Sequence, residues 1–146
     1  MARLYGKVMP DQFTAAERSR VMRAVKSGDT TPELVVRRLV HGLGYRYRLH
    51  ARDLPGQPDI VLPRWGKVIL VHGCFWHRHA CDAGQSTPAS RVEYWEAKFA
   101  RNVARDRSNL RKLRRLGWSV LVVWECQTRV RKVEALRTRL ERFLAT

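Results

Sequence analysis

Between Val71 and Cys81 the chain runs Val-His-Gly-Cys-Phe-Trp-His-Arg-His-Ala-Cys, which holds three of its five histidines and two of its three cysteines. Thiolates and imidazoles are the donors that soft and borderline metal ions prefer. Cys74, His79 and Cys81, with Cys126 as a distant fourth, compose a Cys3His set suited to a tetrahedral zinc ion. Four protein ligands leave no open position, so such a site is structural. The alternative is that the thiols are small buried hydrophobes, because Cys-x4-His-x-Cys is not a common finger spacing. A zinc ion here would pin a long loop to a distant strand and couple metal binding to folding.

Oxygen chemistry is offered by Asp59, which follows Pro58 at the head of an apolar run. Facing a basic cleft, its carboxylate could ligate Mg2+ for phosphodiester hydrolysis, where the ion stabilises developing charge and activates water. An Asp after Pro is also an ordinary turn residue. What favours chemistry is the company: a hairpin would set the end of the partner strand, Val71 and His72, beside Asp59, with His77 on the next loop. Imidazoles titrate near neutral pH and can serve as acid or base to a water or leaving group. Glu33 is open to two readings, a helix-capping residue or a carboxylate reaching the metal's water shell.

Phe75, Trp76 and Trp95 are aromatic residues set among cations, and rings of this kind can wedge into a base step. Trp95 shares helical spacing with Phe99, which is a core pattern; Phe75 and Trp76, in a Gly-Cys loop, are expected to be more exposed. From Lys98 to Arg115 the charge sums to +7, and over the whole chain 29 Lys and Arg stand against 13 Asp and Glu, a net +16. That balance points to a polyanion partner, with affinity that falls as salt rises. The charges are spread over several elements rather than one amphipathic face, which argues against a membrane surface.

The elements that must position these groups can be read from periodicity. Residues 1–13 show no period and read as a flexible arm; residues 14–146 read as one domain. Thr14 to Lys26 predicts a short basic helix carrying Met22, ended by Gly28. Thr30 to Glu33 has capping-box spacing and opens a helix with Leu34, Val35, Leu39 and Leu43 as its apolar face. Tyr45 to His50 alternates like a half-buried strand, Asp53 to Pro58 is a turn, and Ile60–Leu62 and Val68–Val71 form a hairpin across Pro63–Gly66. Ser90 and Glu93 make a second capping box before a long helix with the stripe Val92, Trp95, Phe99, Val103, Leu110 and Leu113. A buried strand, Val120–Trp124, and a closing helix through Val133, Leu136, Leu140 and Phe143 complete the chain. Helices bracketing strands predict an α/β sandwich with a mixed sheet, the last strand returning parallel by a crossover.

At 146 residues with 45% hydrophobic content the chain is too apolar for a disordered basic tail and the right size for one core. The N-terminus lacks a signal-like apolar region and no run is long enough to span a bilayer, so a soluble intracellular protein is expected.

At these residues the chain resembles the very-short-patch repair (Vsr) DNA mismatch endonucleases. The likeness runs from Arg18-Ser19-x-x-Met22-Arg23-Ala24 through Thr30-x-x-Glu33, Leu54-Pro55-Gly56-x-Pro58-Asp59 and His72-Gly73-Cys74-Phe75-Trp76-His77. It continues in Asn102-Val103-x-Arg105-Asp106, Leu116-Gly117-Trp118 and Val123-Trp124-Glu125-Cys126. The resemblance implies a restriction-endonuclease-like core and a Mg2+-dependent nick 5′ to the thymine of a T:G mismatch left by deaminated 5-methylcytosine. It implies Asp59 and the Val71 carbonyl as Mg2+ ligands, catalytic roles for His72 and His77 with Glu33 in support, and Cys74, His79, Cys81 and Cys126 as zinc ligands. It implies Phe75, Trp76 and Trp95 as the wedge and Met22 as a minor-groove probe. Partners implied are double-stranded DNA with a T:G mismatch and mismatch-repair proteins of the MutL type, acting on a monomer. The location implied is bacterial, cytoplasmic and nucleoid-associated. Val71 stands where the family often has Thr. The competing readings are a non-catalytic zinc-stabilised DNA-binding module and a nuclease of the same fold with another target.

Overall fold

A computed structural model describes residues 29–146. The expected arm, the helix from Thr14 to Lys26 and Met22 lie outside the described residues. The order is α1 (Thr31–Gly42), β1 (Arg48–Leu49), β2 (Ile60–Leu62), β3 (Lys67–His72), α2 (Asp82–Gln85), α3 (Val92–Arg115), β4 (Ser119–Trp124) and α4 (Val133–Ala145). It matches the predicted sequence of elements, with two differences. The strand expected over Tyr45–His50 shrinks to β1, both residues of which are exposed, and the Cys-His loop contains the short helix α2.

One mixed sheet forms in the order β1-β2-β3-β4: β1 and β2, and β2 and β3, pair antiparallel, and β3 pairs parallel with β4. β-branched and apolar runs suit strands covered on both sides. Alternation divides their side chains between two cores. Ile60, Leu62, Ile69, Leu121 and Val123 meet α1 and α4 on one face, where Val36, Val40, Leu136, Leu140 and Leu144 are all buried. Val61, Val68 and Leu70 meet Leu113 of α3 on the other. The molecule is therefore a three-layer α/β/α sandwich.

Two helices depart from expectation, α1 in its buried face and α3 in its start. Thr30 caps α1 as predicted, its hydroxyl accepting from Glu33 N at 3.4 Å. The buried face of that helix, however, is Glu33, Val36 and Val40, while Leu34 is 37% exposed. This spacing of i, i+3 and i+7 carries Glu33 inward. Helix α3 begins not from a Ser90 box but after Arg91, which adopts the left-handed conformation and makes no capping bond with its side chain. In the sheet, the buried Lys67 sends its ammonium to the Phe143 carbonyl near the end of α4, where the helix carries partial negative charge.

Leu140 is fully buried between α4 and the sheet. Leu140→Ala is expected to cost about 2–5 kcal/mol of unfolding free energy by denaturant titration. A cost below about 1 kcal/mol would mean that this face is loosely packed.

Candidate active site and metal centre

The turn before β2 delivers Asp59. It is closed by backbone bonds from His50 N to Asp59 O (3.1 Å), Ala51 N to Pro58 O (3.2 Å) and Gln57 N to Leu54 O (3.0 Å). Gly56 has φ +74, and a Cβ there would sit 3.0 Å from Asn109 on α3, so only glycine lets the turn lie this close to the helix. Asp59 Oδ2 accepts the Val71 backbone N–H at 2.7 Å, which ties the turn to the end of β3.

Beside Asp59 stands Glu33, buried to 3% exposure by the α1 geometry. Desolvation, opposed by the Val71 hydrogen bond and reinforced by the charge of Glu33, pushes Asp59 up to about 7 from its ordinary 3.8. Two carboxyls sharing one pocket call for a proton or a cation between them. The Glu33 carboxylate Oε2 is met by His50 Nε2 at 3.0 Å and Arg37 Nη2 at 3.1 Å, and the backbone N–H it accepts at 3.0 Å is that of Asp29, the residue before the Thr30 cap.

His72 is the next residue after Val71, and alternation turns it to the other face of the sheet, toward α3. Its ring stacks on that of His77, with centroids 4.0 Å apart and planes within 5°. Burial first, then the neighbouring His77, lowers His72 to about 4, so it is neutral at physiological pH. His77 Nδ1 lies 2.6 Å from Asp106 Oδ2, a carboxylate in the middle of α3. The expected site residues are thus brought to one strand end as two sets: Asp59 with Glu33 on the α1 side, and His72 with His77 and Asp106 on the α3 side.

The four sulfur and nitrogen donors converge. One ligand atom from each of Cys74, His79, Cys81 and Cys126 lies within 4.8 Å of the others. His79 Nδ1 is 3.7 Å from Cys74 Sγ and 3.5 Å from Cys126 Sγ. A tetrahedral ion with bonds of about 2.3 Å to sulfur and 2.0 Å to nitrogen separates its ligands by about 3.5–3.8 Å, so the donor set fits one ion. Burial raises the thiols of Cys74 and Cys126 and, with the Lys132 charge, lowers His79. At Cys81 burial also raises the pKa, but hydrogen bonds from the Gly84 backbone and the other two thiols outweigh it. The helix α2 approaches so closely that a Cβ on Gly84 would collide with the His79 backbone. Trp124 stacks on His79 at 4.3 Å and meets His72 edge-on at 5.3 Å, joining the sulfur cluster to the imidazole pair.

The aromatic residues cluster rather than protrude. Phe75 is 6% exposed, contrary to its expected exposure, and makes edge-to-face contacts with Trp76, Trp95 and Phe99 at 5.1, 5.8 and 5.0 Å. Trp76 is half-buried, with the Lys98 ammonium 5.8 Å above its ring. Asn102 Nδ2 donates to the Trp76 carbonyl at 3.0 Å.

The sequence that carries these residues is similar to known proteins. The family model described as DNA mismatch endonuclease Vsr matches residues 10–83. The chain is 46% identical over 136 residues to the type II nicking enzyme V.XorIIP of Xanthomonas oryzae, covering 93% of this chain and 98% of that protein. It is 43% identical over 139 residues to the DNA mismatch endonuclease Vsr of Escherichia coli, covering 93% and 88%. A third relative, the type II nicking enzyme V.NmeAIP of Neisseria meningitidis, is 39% identical over 136 residues, covering 93% and 95%. The chain belongs to the Vsr family.

For a Vsr-family chain, reading by residue type reached Asp59, Glu33, His72, His77 and the four sulfur and nitrogen donors, but not Asp106, Asn102, His50 or Arg37. Asp106 had a signal that went unused. Trp95, Phe99, Asn102, Asp106 and Leu113 follow helical spacing, so Asn102 and Asp106 are polar residues on the inward stripe of α3. Polar groups at such positions are there to bond something. His50 and Arg37 gave none, because their common partner Glu33 is fixed by which face of α1 is buried. Among the described residues no helix is long and apolar enough to cross a membrane.

Two outcomes follow from this geometry. Cys126→Ser should reduce bound metal by elemental analysis and lower stability by more than about 4 kcal/mol, the size of effect reserved for losses such as a metal site; unchanged metal content would show that the cluster is only packed thiols. For Asp59, the raised folded pKa means its favourable contribution is complete below pH 3.8 and is lost as pH rises through about 7. Asp59→Asn, which can still accept the Val71 N–H, should therefore raise Tm at pH 8 without added Mg2+ by about 4 °C or more. At pH 5 the shift should be much smaller, and equal shifts at both pH values would contradict the assignment.

Proposed function

We propose that the chain is a Mg2+-dependent endonuclease that nicks the thymine strand of a T:G mismatch on its 5′ side, initiating very-short-patch repair on a restriction-endonuclease-like core. The observation that carries this reading is the 2.7 Å bond from Val71 N to Asp59 Oδ2. It sets a desolvated carboxyl pair and a stacked imidazole pair on adjacent residues of one strand end, beneath a helix whose charge from Lys98 to Arg115 is +7. The activities for which the relatives are named, mismatch endonuclease and nicking enzyme, point the same way.

Asp59 and the Val71 carbonyl would hold Mg2+, with Glu33 behind them; hard oxygen donors of this kind suit that ion, and it would relieve the charge that drives Asp59 to about 7. When bound, the ion supplies charge stabilisation at the phosphate and a more acidic water. His77 is the proton-transfer group: Asp106 bonds Nδ1, fixes the ring and leaves Nε2 for the substrate side. His72, neutral above pH about 4, adds no charge and holds the His77 ring in its plane by stacking. Exposed arginines along α3 take phosphates and set the register on the duplex. Trp76, the exposed edge of the aromatic cluster with Phe75 and Trp95 behind it, is the wedge, and a wobble pair is easier to unstack than a matched one. The Cys74, His79, Cys81 and Cys126 set would hold Zn2+ in a structural role, bracing the loop that carries His77. Met22 on the preceding segment is the proposed minor-groove contact.

The test is a panel of T:G, other mismatched and matched duplexes with and without Mg2+. The wild-type chain should nick T:G in Mg2+ alone, Asp59→Ala should show no cleavage, and Asp106→Asn should lower kcat by about 10²–10⁴-fold. Nicking by Asp59→Ala at the wild-type rate would overturn the metal assignment, and equal cleavage of matched DNA would overturn the mismatch specificity.

A further inference from the structure

The Glu33 carboxylate is held by more donors than a supporting acid requires. Oε2 accepts Asp29 N at 3.0 Å, Arg37 Nη2 at 3.1 Å and His50 Nε2 at 3.0 Å. Donor atoms of Asp29, Glu33 and His50 lie within 4.8 Å of one another, a grouping that superficially suits a second metal ion. The Arg37 guanidinium already fills that place, 2.7 Å from Asp29 Oδ1 and 3.1 Å from Glu33 Oε2. A fixed cation among the donors makes this a clamp and not a vacant metal site.

His50 is the part of the clamp that reaches both carboxyl residues. Its backbone N–H donates to the Asp59 carbonyl at 3.1 Å, and its ring meets Glu33 at 3.0 Å. The ring nitrogen cannot donate to Glu33 and accept from Arg37 at once, so the 3.4 Å approach of Arg37 Nη2 is a contact only, and Nε2 carries the hydrogen toward the carboxylate. His50 also adopts φ 47, the left-handed region that non-glycine residues seldom enter. Strain of this kind is kept where the surroundings demand a particular side-chain direction.

We propose that His50 is a positioning residue: through its ring on Glu33 Oε2 and its backbone on Asp59 it fixes the relative orientation of the two carboxyls that receive the divalent ion. This rests on the metal-dependent function proposed above. With three donors on Oε2, rotation of the Glu33 carboxylate is suppressed, and its remaining lone pairs keep one direction relative to Asp59. Outer groups that orient metal-binding side chains typically contribute 10–100-fold to affinity or rate.

Two variants separate positioning from packing. Asn tolerates positive φ, so His50→Asn keeps the backbone, but its amide ends at the level of Nδ1 and falls short of Glu33. His50→Gln places an N–H at the level of Nε2 and restores the donor. Mn2+ binding to the zinc-loaded, DNA-free full-length chain is read by electron paramagnetic resonance, and kcat and KM are read on a T:G duplex in Mg2+. His50→Asn is expected to weaken Mn2+ binding about 10-fold and to lower kcat about 10–100-fold, with KM for DNA within about twofold, while His50→Gln stays within about threefold of wild type on every readout. Arg37→Gln, which removes another Oε2 donor, should move Mn2+ affinity in the same direction and decides the matter should His50→Asn fail to fold. An Asn variant equal to wild type in both Mn2+ affinity and kcat, or a Gln variant as impaired as the Asn variant, overturns the proposal; so does a folded Arg37→Gln protein with unchanged Mn2+ affinity. A wild-type chain whose Mn2+ binding depends on His50 but which leaves T:G duplexes intact supports the positioning role and sinks the functional reading instead.

Discussion

The parallel register of β3 on β4 is the constraint from which both centres follow. Lys67 pairs with Ser119 and His72 with Trp124, so partners are offset by 52 residues along the whole ladder. Cys74 and Cys126 are separated by the same 52 residues, two positions beyond the last pair. The ladder therefore brings the two thiols side by side, and Cys126 N donates to Cys74 Sγ at 3.4 Å across the gap. A slip of one residue would turn every β3 side chain to the other face, burying His72 under α1 and exposing the Val71 position to α3. Apolar side chains on both faces make such a slip costly, since each face has its own packed core. Register, and hence the site, is secured mainly by the apolar packing of the two cores.

Division of the site between the two faces follows from the same alternation. Val71 and His72 are neighbours in sequence, yet one backbone N–H anchors a carboxyl on the α1 side while the next side chain joins an imidazole on the α3 side. This keeps Asp59 and Glu33 apart from His72 and His77, whose acidic partner is Asp106 on α3. Asp59 is left desolvated with Glu33, and His72 is left uncharged, each held away from its ordinary ionisation. Both are unfavourable for folding at neutral pH and useful for chemistry, the usual relation between stability and an active site. Backbone strain sits in the same places. His50 and Gln57 flank the turn that delivers Asp59, Arg78 lies in the Cys-His loop, and Arg91 starts α3, all at positive φ without being glycine.

Much of this was legible in the chain itself because it rests on periodicity and donor chemistry. The hairpin, the long helix, the parallel last strand and the sulfur cluster all follow from patterns of period 2, period 3.6 and ligand type. What could not be read depends on rotation and competition. Leu34 and Val35 looked like the inward face of α1, but the sheet selects Val36 and Val40, and that rotation of about one residue (100°) brings Glu33 inside. Tyr45 to His50 alternates convincingly, yet β1 pairs for only two residues because the chain must turn at His50 to close on Asp59. Ser90 has capping chemistry, and the helix nevertheless starts after Arg91, whose guanidinium stacks 5.1 Å from the Tyr94 ring. In the first two cases tertiary contacts overrode the local pattern, and at α3 a capping preference worth about 1 kcal/mol gave way to a start after Arg91.

The packing of the aromatic residues constrains how the proposed wedge can work. Phe75 contacts three rings, and Trp76 and Trp95 contact each other at 5.9 Å. At about 0.5–1.5 kcal/mol for each ring pair beyond simple burial, pulling Phe75 out of this cluster would cost several kcal/mol. Unstacking a base step costs a few kcal/mol more, and a mechanism that required both would spend most of the binding energy before any specific contact formed. A rigid cluster avoids the first cost. Trp76 is already partly exposed, held from behind by Phe75 and Trp95 and from the side by Asn102 on its carbonyl. Presented as a fixed edge rather than an extracted ring, it would sense only how readily the DNA step opens, which is the property in which a wobble pair differs from a matched one. Asn102 and Asp106 lie on one face of α3, so the helix that holds the Trp76 backbone also holds the His77 ring, and under the proposed function recognition and proton transfer would share one rigid support.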